Sequence, residues 1–184
     1  MIRSLWLWCR GRVDGAGEGV STFGYTAGTL AVPVAFLVAS IVEAVALHLL
    51  VPWHWVRVVL LVLTAVSLGA GACWFAARAV HPHLVTPEQL TLRSGRDTVL
   101  VVDRSRILRA VPARRFEHTT PGIHDDRFYL PGPDGTVIDI DFDAPVGVAD
   151  GARFGASRTL QLVTGVSLHV DAPRELCARL SAQG

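Results

Sequence analysis

Two stretches decide the fold of this chain: LAVPVAFLVASIVEAVALHLLV at Leu30–Val51 and VVLLVLTAVSLGAGACWFAA at Val58–Ala77. Each supplies about the 20 apolar residues that a helix needs to cross a hydrocarbon layer roughly 30 Å thick. Glu43 is the only charged residue in the two stretches, and Pro52-Trp53-His54-Trp55 separates them. Proline breaks a helix, and tryptophan favours the membrane–water interface. The pattern therefore predicts two transmembrane helices, at about residues 30–51 and 58–78, joined by a very short loop.

The composition divides the chain into three parts. Residues 25–80 are dominated by the two apolar stretches, whereas residues 81–184 carry most of the acidic side chains. That second part is long enough for one small soluble domain. Residues 1–24 include the glycine-rich run Gly11–Gly19 and show no helical or strand periodicity. We therefore expect a flexible N-terminal tail, a membrane hairpin and a soluble domain, in that order.

The arginines predict the orientation of the hairpin. Those nearest the two helices are Arg3, Arg10 and Arg12 before the first, Arg57 in the connection, and Arg78, Arg93 and Arg96 at or after the end of the second. Positive residues accumulate on the cytoplasmic side of a membrane. We therefore expect a cell-membrane protein with both termini in the cytoplasm and the Trp53–Trp55 loop outside.

Rows of small residues predict how the two helices pack. Such residues recur at every fourth position: Ala31, Ala35 and Ala39 on the first helix, and Ala65, Gly69 and Cys73 on the second. Small side chains let helix backbones approach closely in lipid. We expect these two rows to face each other.

Glu43 continues the small-residue row of the first helix. An intramembrane carboxylate is costly and is by default a functional-site hypothesis. Thr64 lies at the opposing level of the second helix, so its hydroxyl is the expected hydrogen-bond partner of a protonated Glu43. We favour this structural role over proton or ion translocation, because two helices alone cannot enclose a path.

Short strands and turns fill the soluble part. The predicted strands are Leu90–Arg93, Thr98–Asp103, Ile107–Val111, Arg127–Leu130, Thr136–Phe142, Thr159–Val163 and Val166–Val170. Thr86-Pro87-Glu88-Gln89 has the pattern of a capped helical turn, with Thr86 as N-cap and Gln89 reaching back. Residues 144–157, rich in glycine and alanine, are expected to form a loop or an irregular edge strand.

Two segments have clear amphipathic patterns. In the strand that begins at Thr136, apolar and acidic residues alternate, with Ile138, Ile140 and Phe142 on one face and Asp139, Asp141 and Asp143 on the other. At the C-terminus, Asp171 is the expected cap of a helix that places Leu176, Cys177 and Leu180 on one face. The apolar faces are predicted to meet in a core, and the aspartate row to face solvent.

These features together resemble a known family. A hairpin followed by His81-Pro82-His83, then VTPEQLTLRSG (residues 85–95) and a closing VSLHVDAPRELCARL (residues 166–180), is similar to actinobacterial-type two-helix membrane proteins with a bacterial PH-like domain. The resemblance implies a cytoplasmic all-β (α+β) PH-like domain, a partly open antiparallel barrel plugged by a C-terminal helix. A five-stranded oligonucleotide-binding-type barrel is the alternative, and the helix after the last strand favours the PH-like fold. Domains of this kind mostly bind lipids, peptides or proteins, and the resemblance carries no active site.

Arginines give the soluble part its one asymmetric charge feature. Residues 93–115 carry a net charge of +5, from seven arginines and two aspartates, whereas residues 116–184 carry −5. The basic half follows the hairpin directly and so lies near the anionic inner leaflet. The candidate lipid- or partner-binding residues are Arg93, Arg96, Arg104 and Arg106. The alternative is a charge pattern on strand edges that deters aggregation.

Other functional patterns are weak. His118, His124, Asp125 and Asp126 lie within nine residues, but no metal-binding motif spaces them. The three cysteines are far apart, no serine lies in a nucleophile motif, and a net charge of +1 argues against nucleic-acid binding. We therefore predict no metal ligand, no cofactor and no enzymatic activity.

The leading hypothesis is a non-enzymatic integral membrane protein. Its PH-like domain would interact with the bilayer, with anionic lipid headgroups or with another membrane protein. The alternative is a small metal-binding or transport-associated membrane protein that uses Glu43 or the His118, His124 and aspartate cluster.

Overall fold

The computed structural model describes residues 2–11, 13–15, 17–26, 29, 31–149 and 160–181. In chain order these form α1 (Ile2–Cys9), β1 (Ser21–Phe23), α2 (Ala31–Leu50), α3 (His54–Val80), β2 (His83–Val85), β3 (Gln89–Ser94), β4 (Asp97–Asp103), a 3₁₀ turn (Arg104–Arg106), β5 (Ile107–Arg115), β6 (Gly122–His124), β7 (Arg127–Leu130), β8 (Thr136–Ala149), β9 (Leu160–Leu168) and α4 (Pro173–Ser181).

The two apolar stretches form the two longest helices, as the sequence predicts. The spans Val32–Leu50 and His54–Val80 have mean hydropathies of 2.1 and 2.2, so both are long and apolar enough to cross a membrane. Only 6% of each helix's most apolar window is buried within the chain, unlike the core helix of a soluble protein. The connection contains only residues 51–53, and α3 begins four residues earlier than Val58.

The predicted small-residue rows do not form the contact between α2 and α3. Ala39 and Ala65 are exposed, and a Cβ added at Gly69 would meet nothing within 4 Å. The less exposed side of α2 instead carries Ser40, which is buried, and Leu47. The least exposed face of α2 therefore runs through Ser40, Ala44 and Leu47, whereas Ala35 and Ala39 of the predicted row are exposed.

The N-terminal segment differs from the expected flexible tail. Helix α1 packs on α3, with the Trp8 and Phe75 rings edge to face at 5.9 Å. Strand β1 pairs antiparallel with β2, and its Phe23 is only 3% exposed. Gly15 and Gly19 take positive φ values in the turns between α1 and β1. Burial of Phe23 fastens the segment to the β domain.

Two packed sheets form the β domain. One has the order β1-β2-β3-β4 and the other β5-β8-β9-β7-β6, in which only the β7–β9 pair is parallel. The described strands close no barrel. Both sheets and α4 share one core, with Leu90, Leu92, Leu100 and Val102 from the first sheet, Phe128, Ile138, Ile140, Val148, Val163, Val166 and Leu168 from the second, and Leu176 from α4. The predicted inward face of β8 and the predicted face of α4 are thus confirmed.

Strand boundaries differ from the predictions at several places. Strand β9 is continuous where two strands were expected, and β8 extends to Ala149 with a register shift between Asp141 and Val146. Residues 144–149 are therefore part of β8, in which Val146–Ala149 pair with β9, and residues 150–157 lie outside the described residues. The Thr86 turn keeps the expected bond from the Gln89 N–H to Thr86 Oγ1 (2.9 Å), but it leads into β3 and not into a helix.

Candidate functional site

A groove of about 410 Å³ lies where the helix pair meets the β domain. Its lining comes from the start of α2 (Val32, Pro33), the end of α3 (Trp74, Phe75, Arg78), the segment before α2 (Tyr25, Thr29) and three parts of the β domain (Ser94; Thr119, Pro121; Pro131, Gly132, Pro133). Its volume is in the range of small-molecule sites, and its mostly apolar walls with a few polar groups are typical of them.

Arg78 is the charged side chain of this groove. Its guanidinium lies 4.8 Å from the centre of the Trp74 ring and 5.9 Å from that of the Tyr25 ring. Both distances suit cation–π attraction, which orients the guanidinium, and no hydrogen bond to another described residue occupies its N–H donors. Within the described part of the chain no ion pair involves Arg78, and no aspartate or glutamate lines the groove. The groove therefore favours an anion.

Tyr25 is held rigidly beneath Arg78. Its hydroxyl accepts a hydrogen bond from the Gly95 N–H (2.8 Å), and its ring stacks on His83 with centroids 4.8 Å apart. Burial raises the pKa of Tyr25, so the hydroxyl stays protonated. His83 is only 1% exposed, and its Nδ1 accepts the Arg93 N–H. Burial lowers the pKa of His83 to about 4, so the ring is neutral at neutral pH.

One wall of the groove depends on a close backbone approach. A Cβ at Gly132 would collide with the His169 ring, so the loop of Pro131, Gly132 and Pro133 packs directly on that ring. Burial lowers the pKa of His169, which keeps this ring neutral as well. Rigid prolines and a packed glycine hold the wall in place.

The four candidate arginines do not form one platform. Arg93 donates to the Asp14 carbonyl (3.1 Å) and pairs with its carboxylate at 3.6 Å, and Arg96 donates to Ser4 Oγ. These two arginines therefore bind the N-terminal segment. They lie at the hairpin between β3 and β4, which is the end of the β domain next to the groove.

The other two arginines lie at the far end of β4, about 20 Å away for a seven-residue strand. Arg104 donates to the carbonyls of Arg179 and Leu180 in the last turn of α4. Arg106 pairs with Asp143 at 3.3 Å. The structure thus places Arg104 and Arg106 away from Arg93 and Arg96, and sequence proximity alone made the four appear as one set.

Glu43 and Thr64 are not joined. Glu43 is exposed on the outward row of α2, and Thr64 is half-buried on α3. Among the described residues no hydrogen bond links the two side chains. Ser40, three positions earlier on α2, is buried, but Glu43 itself is exposed.

The histidine and aspartate cluster has a local structural role. The His118 and His124 rings stack with centroids 4.0 Å apart, and Tyr129 meets His118 edge to face. Asp125 and Asp126 take φ values of 49° and 57° in the two-residue turn between β6 and β7, as a type I′ hairpin requires. The described residues contain no group of three or more histidine, cysteine or acidic side chains placed to hold a metal ion.

The aspartate row of β8 is not the solvated face that the sequence predicted. Asp139 is only 6% exposed and accepts hydrogen bonds from Arg115 (2.8 and 3.0 Å) and from Ser167. Asp141 pairs with Arg127, whose side chain crosses β9 at Gly165. Arg115 on the neighbouring strand β5 and Arg127 on β7, beyond β9, pair with Asp139 and Asp141, and the pattern of β8 alone gave no sign of them.

The groove was also absent from the sequence-based predictions. Its residues come from segments that are more than a hundred positions apart, and only Trp74 and Arg78, one turn apart near the end of α3, gave a local signal. Comparisons of this chain with protein-family models, with curated proteins and with solved structures found no match.

Proposed function

We propose that this chain is a non-enzymatic integral membrane protein whose PH-like β domain mediates interactions at the cytoplasmic membrane surface, with lipid or with a partner protein. The observation that carries the proposal is the position of the groove: it opens between the ends of two helices long enough to span a membrane and the loops of the β domain. A ligand there would contact both parts of the protein at once.

The connection between the helix pair and the β domain supports this arrangement. Only His81 and Pro82 separate α3 from β2. The Asp14 N–H donates to the Val80 carbonyl (2.9 Å), and Asp14 also pairs with Arg93. Strand β1, which precedes the helix pair in the sequence, pairs with β2, which follows it. The segments before and after the helix pair are thus joined to each other next to the end of α3. These contacts attach the β domain to the end of α3, and we infer that its groove side is toward the bilayer.

Two further observations support the finer parts of the proposal. Arginines cluster on both outer flanks of the hairpin, which favours cytoplasmic termini and an external Trp53–Trp55 loop. Two packed sheets with a C-terminal helix buried against their core, through Leu176 at 0% exposure, are compatible with the PH-like resemblance.

Depth measurements on the full-length protein in lipid nanodiscs test the proposal. A genetically encoded fluorescent amino acid at Thr119, on the groove, should be quenched by lipids that carry a nitroxide on the headgroup. The same probe at Ser105, at the far end of β4, should be quenched much less. Equal quenching at the two positions would contradict a β domain held with its groove toward the membrane.

A further inference from the structure

We propose that the groove binds the phosphate of an anionic phospholipid from the adjacent leaflet, with Arg78 as the phosphate-binding side chain. The inference rests on the proposed function and goes beyond it by naming the ligand class and the residue that recognises it. Three observations carry the inference: the depth of Arg78, the charge of the groove and its apolar walls.

The length of α3 sets the depth of Arg78. Trp55 and Trp74 are 19 positions apart, which is about 28 Å at a rise of about 1.5 Å per residue. That distance matches a hydrocarbon layer of roughly 30 Å, so the two tryptophans fit opposite membrane interfaces. Arg78 follows Trp74 by one helical turn, and this places its guanidinium at the level of the lipid phosphates.

The charge of the groove selects an anion, and the geometry of Arg78 suits a phosphate. Arg78 has no carboxylate partner among the described residues, whereas Arg93 and Arg96 bind Asp14 and Ser4. A guanidinium presents paired N–H donors that match two phosphate oxygens. A zwitterionic headgroup would bring its own cation into a groove whose described lining has no acidic side chain. An anionic lipid is therefore preferred over phosphatidylcholine.

The apolar walls distinguish a lipid from free phosphate. Val32 and Pro33 lie at the start of α2, and Trp74 is 58% exposed on α3, so the groove continues onto the lipid-facing sides of both helices. A phospholipid can place its phosphate at Arg78 and its acyl chains along these side chains. Inorganic phosphate would gain only the polar part of this contact.

Lipid retention by the full-length protein tests the proposal. The protein is purified in detergent with equal amounts of phosphatidylglycerol and phosphatidylcholine, and bound lipid is measured by native mass spectrometry. We expect retention of phosphatidylglycerol over phosphatidylcholine, and a loss of about 10-fold or more in Arg78→Gln, because hydrogen bonds between charged groups are the strong ones. Arg57→Gln, the same charge change at the other end of α3, should retain the lipid.

Further variants and competitors keep the result interpretable. Thr119→Trp fills the groove without changing its charge and should also lose the lipid, which decides the question if Arg78→Gln fails to fold. Excess glycerol phosphate should not displace the lipid. Equal retention in wild type and Arg78→Gln, an equal loss in Arg57→Gln, equal binding of phosphatidylcholine, or displacement by glycerol phosphate would each overturn the proposal. If lipid binding fails while Thr119 is still quenched in nanodiscs, only this inference falls and the proposed function stands.

Discussion

Replacing Asp139 by asparagine should weaken the five-stranded sheet substantially, although the sequence suggests a solvated position. Asp139 is only 6% exposed, and its carboxylate accepts hydrogen bonds from the Nε and Nη2 atoms of Arg115 and from Ser167. A hydrogen bond to a charged group contributes about 1.5–3 kcal/mol and a neutral one about 1 kcal/mol. Arg127 also lies 4.0 Å from the carboxylate. Since the Arg115 side chain is 39% exposed and water can replace part of its contact, we expect a loss of about 1–3 kcal/mol.

Amide hydrogen exchange is the suitable assay, because all five tryptophans lie outside the β domain and would not report its unfolding. Peptides from β8 and β9 should exchange faster in Asp139→Asn. The matched control is Asp143→Asn, whose side chain is 47% exposed against 9% for Asp139, so its ion pair with Arg106 should contribute less than about 1 kcal/mol. Equal losses in the two variants, or unchanged exchange in β8 and β9, would refute the reasoning from burial.

The same site predicts a pH dependence. Burial raises the pKa of Asp139, but the hydrogen bonds from Arg115 and Ser167 outweigh it and hold the pKa below its usual value. The stabilisation is therefore fully present above about pH 4, where the carboxyl of the unfolded chain is ionised, and is lost as the pH falls through the folded-state pKa. Protection of β8 should decline more steeply below about pH 4 in wild type than in Asp139→Asn.

Three further predictions concern other parts of the fold. The pKa of His83 is lowered to about 4 in the folded protein, so as the pH falls the unfolded chain protonates at this residue first, and protection of β2 and β3 from hydrogen exchange should fall between about pH 6.5 and 4. His83→Gln should make protection less dependent on pH in this range, and an unchanged slope would contradict the prediction. Gly165→Ala places a Cβ 2.8 Å from a backbone oxygen across the sheet and should cost about 1–3 kcal/mol in β8 and β9 by hydrogen exchange, whereas Gly17→Ala, in open space, should change little. In the helix pair, Ser40→Leu should lower the thermal denaturation temperature in detergent because Ser40 is buried, whereas Glu43→Gln should not, because Glu43 is exposed. A larger decrease for Glu43→Gln than for Ser40→Leu would indicate that Glu43 joins the helices.

Local patterns predicted those features whose cause is local. A run of about 20 apolar residues becomes a helix because its backbone bonds close within the segment, so α2 and α3 could be located from composition alone. The alternation in β8 and the apolar face of α4 likewise identified Ile138, Ile140 and Leu176 as core residues, which are all fully buried. In each case the residues that carry the signal are also the residues that form the element.

The sequence alone therefore determined two long apolar helices, a strand-rich part after them and the inward faces of β8 and α4. The tertiary structure alone decided which elements meet: β1 pairs with β2 across the whole hairpin, Arg115 and Ser167 meet at Asp139, and the groove forms from Tyr25, Arg78 and distant loops. The physical reason is that apolar and charge patterns specify which face of an element is buried or charged, but not its partner. Partners are chosen by the packing of the whole core and by the short connections that fix the rotation of each element.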